Sequence, residues 1–138
     1  MRYLQILMIV IFFISCSKGI SITEIKDKDL LIQASCKESS SDGHDQEYKV
    51  RIFPELKSGE TIDRKITEQM SYNMDSCFYK MKGKEKQFPE TVIPIANGIK
   101  NCFEYLIVFS DDAAAQETNK LQYESKYINN TTYQLIFK

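Results

Sequence analysis

The run NCFEYLIVF, residues 101–109, constrains the fold more than any other stretch of the chain. Read as a strand, it places Cys102, Leu106 and Val108 on one face and Phe103, Tyr105, Ile107 and Phe109 on the other. Apolar residues on both faces predict a strand in the middle of a sheet, covered on both sides. Any fold must supply two layers to cover it.

Other stretches follow a strict period of two. In DLLIQASCKE, residues 29–38, Leu30, Ile32, Ala34 and Cys36 alternate with Leu31, Gln33, Ser35 and Lys37, the mark of a half-buried strand. In EYKVRIF, residues 47–53, Tyr48, Val50 and Ile52 share one face. The turn-rich SSSDGHDQ between them predicts a hairpin with a long tip, and Pro54 ends its second strand or sets it at an edge. LQYESKYI and TYQLIFK flank Asn129-Asn130, a pair that tolerates left-handed backbone, so a closing hairpin is expected. Lys80, Lys82, Lys84 and Lys86 alternate through MKGKEKQ and read as a solvated strand end and loop.

Helical signals are short. Ile62, Ile66 and Met70 recur every four residues, which suits one face of a short helix capped by Ser58. In SDDAAAQETNK, Ser110 stands before two acids and three alanines, the pattern of a capped helical turn. The prediction is all-β: a small antiparallel β-sandwich of immunoglobulin-like type, with one or two short helices in its connections. An α+β sheet with one packed helix is the alternative. The chain has no Trp to mark an immunoglobulin core.

The first residues carry an address. Arg2 precedes an apolar run from Leu4 to Ile14, interrupted only by Gln5, and the small Ser15 and then Cys16 follow. A helix from Tyr3 to Ile14 covers roughly 18 Å, well short of a bilayer core of about 30 Å. Phe13-Ile14-Ser15-Cys16 resembles the lipobox of bacterial lipoproteins, a likeness confined to residues 1–16. It implies cleavage after Ser15 and lipidation of Cys16. Ser17 in the next position favours sorting to the outer membrane. The expected organisation is a signal peptide over 1–15, a lipid-anchored tether over 16–27 and one sandwich domain over 28–138.

Cleavage would leave 123 of the 138 residues, enough for one core and too few for two. It would remove Arg2 and no acid, taking the net charge from −1 to −2. No basic patch dense enough to neutralise a phosphate backbone is present, which argues against nucleic acid as a partner. With Cys16 committed to lipid, Cys36, Cys77 and Cys102 allow at most one intramolecular disulfide, in three pairings. Cys77–Cys102 is favoured, because SCFYKM and NCFEYL both read as strands and make plausible neighbours. Such a link would restrict the unfolded chain by roughly 3 kcal/mol. Three free thiols are the alternative.

Chemistry has few footholds. His44 is the single histidine, and Asp42, Asp45 and Glu47 surround it with donors suited to a divalent ion, although the spacing matches no calcium loop. A polar hairpin tip explains the same residues. Asp75 and Glu104 stand out as carboxylates beside or inside apolar stretches; a buried one has a raised pKa unless it is paired. No phosphate loop, paired CxxC or nucleophile elbow appears, so no cofactor and no enzymatic activity are expected. The reading is a membrane-anchored, periplasm-facing accessory or protein-binding module, held by its N-terminal lipid beside an envelope protein. The alternative is an immunity or inhibitor protein that plugs a toxin or hydrolase with the acidic tip Asp42–Glu47.

Overall fold

The computed structural model describes residues 20–37, 46–110 and 119–138. Among them are nine strands: β1 (Ile20–Lys26), β2 (Leu30–Lys37), β3 (Gln46–Pro54), β4 (Phe78–Lys82), β5 (Glu85–Gln87), β6 (Thr91–Ile95), β7 (Phe103–Phe109), β8 (Lys120–Glu124) and β9 (Thr132–Ile136). One helix, α1 (Arg64–Tyr72), connects β3 to β4. The strands form two antiparallel sheets, five in the order β1-β2-β3-β7-β6 and four in the order β5-β4-β8-β9. The protein is an all-β sandwich.

Alternation in the sequence becomes burial in the fold. Leu30, Ile32, Ala34 and Cys36 of β2, with Tyr48, Val50 and Ile52 of β3, face inward. The small sheet answers with Phe78, Leu121, Tyr123, Tyr133 and Leu135, and Phe137 packs beside them. Aromatic contacts run through this interior: Phe78 stacks on Tyr123 at 5.1 Å between ring centroids, and Tyr48 lies 5.3 Å from Phe137. Fully burying side chains of this size contributes about 1.5–3 kcal/mol each, and most of the fold's stability resides here.

Both predicted hairpins form. β2 pairs with β3, and Pro54 ends β3, where its missing N–H breaks no central rung. β8 pairs with β9, and Asn130 adopts φ 57° in the connection. Gly83, at φ 60°, lets β4 turn directly into β5.

Three expectations are corrected. The stretch assigned to a tether, residues 16–27, contains β1, which pairs along its length with β2 from Ile20↔Lys37 to Lys26↔Leu31. Helix α1 starts later than Ser58 implies, and its cap is Asp63, whose carboxylate accepts from the Lys65 N–H at 2.9 Å. Strand β7 is central in its sheet but covered on one face only. Tyr105, Ile107 and Phe109 are buried against the small sheet, while Leu106 and Val108 on the outer face are half-buried. Helix α1 packs elsewhere, with Met70 and Ile66 turned to the core, and the helical turn expected after Ser110 falls on 111–118, outside the described residues. On that outer face Arg51 and Asn97 close over Glu104, and no described strand or helix is stacked on β7 as a second layer.

One end of the sandwich is tied by side chains. The Asp27 carboxylate accepts the Asp29 and Leu30 N–H groups at 2.8 and 3.0 Å, and also the Tyr133 hydroxyl from the other sheet. Asn129 donates to Asp29 and Tyr133. The Tyr133 bond holds the Asp27 carboxyl below the usual carboxylate range, aided by the two backbone bonds.

Candidate functional site

The outer face of the five-stranded sheet is built by register. Ile22, Ser35, Lys49, Leu106 and Ile93 line up across β1, β2, β3, β7 and β6, and Glu24, Gln33, Arg51, Glu104 and Ile95 form the next row. Polar residues of β2 and β3 separate two apolar flanks. On the β1 flank Ile20 is 58% exposed and Ile22 76%; on the other, Ile93 is 45% exposed beside Leu106. Two open grooves of about 390 Å3 each lie on this face, one by Ile22, Glu24, Gln33 and Lys49, the other by Ile20, Lys37, Glu47 and Leu106.

Glu104 sits under this face with only 4% exposure. Its carboxylate meets Arg51 Nε at 3.2 Å and accepts the Asn97 side-chain N–H at 2.8 Å. Both oxygens are engaged, which explains how an acid fits inside an apolar strand. Asp75 lies exposed in the turn before β4, so the two carboxylates singled out in the sequence occupy different surroundings.

The interior holds a group the sequence reading placed in solvent. Lys80 is 2% exposed, and its Nζ lies 5.0 Å from the Tyr48 ring centroid and 4.8 Å from that of Phe109. It donates to the Gln46 side-chain oxygen, and Gln46 Nε2 stands 3.7 Å from Cys36 Sγ. Lys80 thus reaches from the small sheet to the large one, its charge against aromatic faces. Burial, with Cys36 nearby, pushes the Tyr48 phenol well above its ordinary range. A period of two counted from the core residue Phe78 would have pointed Lys80 inward; its charge obscured that signal. Lys82, Lys84 and Lys86 are exposed as expected.

Cys77 and Cys102 are free thiols, so the favoured Cys77–Cys102 bridge is not formed. Strands β4 and β7 belong to opposite sheets and are not the neighbours that pairing required. Burial pushes the Cys77 thiol up to about 11, and its Sγ lies 3.9 Å from the Asn73 carbonyl oxygen, so it is a poor nucleophile. Cys102 is half-buried, 3.5 Å from Asn97 Nδ2.

Ser15, Cys16, Asp42, His44 and Asp45 lie outside the described residues. Glu47 is exposed on β3, opposite Val108. Among the described residues, no group of three or more His, Cys, Asp or Glu side chains is arranged to hold a metal ion. No described helix is long and apolar enough to cross a membrane. Compared with family models, curated proteins and solved structures, the chain matches none.

Proposed function

We propose that the chain is a membrane-anchored, periplasm-facing lipoprotein, lipidated at Cys16, that acts as a non-enzymatic protein-binding module. The observation that carries this reading is the uncovered apolar flank of the five-stranded sheet, where Ile93 stays 45% exposed beside Leu106 on a central strand. A sheet face of this kind on a rigid scaffold suits a protein partner, with Lys49 and Arg51 supplying a polar rim. The partner expected is an envelope protein, and Ser17 after the lipid site favours the outer membrane.

Strand order supports the immunoglobulin-like type. Setting β1 aside, β2-β3-β7-β6 against β5-β4-β8-β9 is the order A-B-E-D against C′-C-F-G, and every neighbouring pair is antiparallel. Sandwiches of that order are common as binding domains, a warrant by analogy alone.

In-cell photocrosslinking tests the proposal. A photoreactive benzoyl-phenylalanine replacing Ile93 should give one discrete adduct with a membrane protein, and one replacing Lys57 on a remote loop should give none. Leu106→Asp should abolish the Ile93 adduct. No adduct, or equal adducts from both positions, would overturn the proposed face.

A further inference from the structure

We infer that the sandwich stands edge-on to an anionic lipid surface, with strand β1 at the headgroups. The inference rests on the lipoprotein reading and adds an orientation and a second membrane contact to it. Only Ser17, Lys18 and Gly19 separate Cys16 from Ile20, the first residue of β1. Four residue steps span at most about 14 Å even when fully extended. A lipid on Cys16 therefore keeps the start of β1 close to the bilayer surface, however the intervening residues run.

The edge that this short span brings down has the chemistry for such a surface. Ile20 and Ile22 are 58% and 76% exposed, and no described element covers them. Lys26, Lys28, Lys37 and the C-terminal Lys138 are exposed around the same edge. Lys138 belongs there because its carbonyl accepts the Ser21 hydroxyl at 2.7 Å. Opposing charges are Glu24, which accepts from Gln33 at 3.0 Å, Asp27 between Lys26 and Lys28, and Glu47 in the groove with Ile20 and Lys37, so the lysines outnumber the acids by one. Apolar side chains flanked by lysines match the boundary between acyl chains and anionic headgroups, where each cation near the surface adds attraction.

Edge-on seating also keeps the rest of the face free. Strand β6 lies four strand spacings from β1, about 19 Å at the usual separation. Ile93 then stays clear of the bilayer and open to a partner in the same membrane.

The chain contains no Trp, so one substitution makes a single reporter. Full-length lipoprotein carrying Ile22→Trp or Ile93→Trp is reconstituted into vesicles of phosphatidylethanolamine and phosphatidylglycerol with brominated acyl chains. Bromolipid should quench the Ile22→Trp emission about twofold, as expected for burial at the interface, and leave Ile93→Trp unchanged. Quenching should weaken in vesicles of phosphatidylcholine alone. If Ile22→Trp does not fold, as judged by circular dichroism, Ile20→Trp is the second reporter at this edge. An unquenched reporter on protein that still floats with vesicles would overturn the seating and leave the anchor standing. So would a blue-shifted emission insensitive to bromine, which would mean that a second copy covers β1. Equal quenching at both positions would overturn the edge-on orientation. Wild-type protein that takes up no labelled fatty acid would remove the anchor and the seating together.

Discussion

Arg51 and Glu104 stand directly opposite each other on β3 and β7, with the guanidinium Nε 3.2 Å from the carboxylate. The pair is asymmetric: the Arg51 side chain is 41% exposed and that of Glu104 only 3%. Solvent screens the arginine, but the acid depends on it. Arg51→Ala should cost about 1–3 kcal/mol, less than a fully buried pair would, because water reaches the site from the arginine side. Adding Glu104→Gln to Arg51→Ala should recover part of the loss, measured by urea denaturation.

Leu106 and Ile107 are neighbours with unequal surroundings. Ile107 is fully buried and Leu106 half-buried on the outer face. Ile107→Ala should cost about 2–5 kcal/mol through lost transfer energy and a residual cavity. Leu106→Ala should cost less than about 1.5 kcal/mol, since little cavity forms at a surface position. Against a total of roughly 5–15 kcal/mol, the two denaturation midpoints should separate clearly. Equal losses would mean that something covers the outer face.

Acid should loosen the tied end of the sandwich. The Asp27 carboxyl is held below its ordinary 3.8 by Tyr133, so the unfolded chain takes up its proton first as pH falls. Its contribution is present above pH 3.8 and is lost as pH drops through the lower, folded-state value. Tyr133→Phe removes the bond and should cost about 1 kcal/mol at pH 6. The gap between wild type and variant should narrow below pH 3.8 in parallel melts; a gap independent of pH would dissociate Tyr133 from this carboxylate.

The thiols should report their burial. In native protein an uncharged alkylating agent should modify the half-buried Cys102 first, with Cys36 and Cys77 protected. Denatured, unreduced mature protein should yield three modifiable thiols by mass spectrometry, and a single one would restore the disulfide.

Lys80→Ala should destabilise the fold by about 2–4 kcal/mol, because it empties the space between Tyr48 and Phe109 and strips the Gln46 oxygen of a donor. Lys80→Met, which keeps the stem, should cost less. Variants at Lys84, exposed in the β4–β5 turn, should change stability by under about 0.5 kcal/mol.

The parts of the fold that bury one face were legible in the sequence. Leu30, Ile32, Ala34 and Cys36 announce β2, and Tyr133, Leu135 and Phe137 announce β9, because alternation is what a half-buried strand imposes on composition. Strand β1 left no such mark. Its isoleucines Ile20 and Ile22 point outward and only Ile25 packs on the core, so an edge strand looked like a polar tether. Lys80 was hidden for the opposite reason, a charged residue at an inward position held by partners distant in sequence. The disulfide failed because two strands of similar composition belong to different sheets, a relation that local pattern does not encode. The candidate face was the least legible, since it depends on which rows of five strands fall into register.

The pairing of β1 with a single neighbour has a mechanical consequence. A pull applied at Ile20 loads the rungs to β2 one after another, starting at Ile20↔Lys37, rather than all at once. Peeling the seven residues of β1 would lengthen the leash by about 23 Å. It would also break the Ser21–Lys138 bond, while β2 to β9 kept their mutual pairing. The edge strand is then a reserve of slack, let out under tension before any rung among the eight strands behind it is broken.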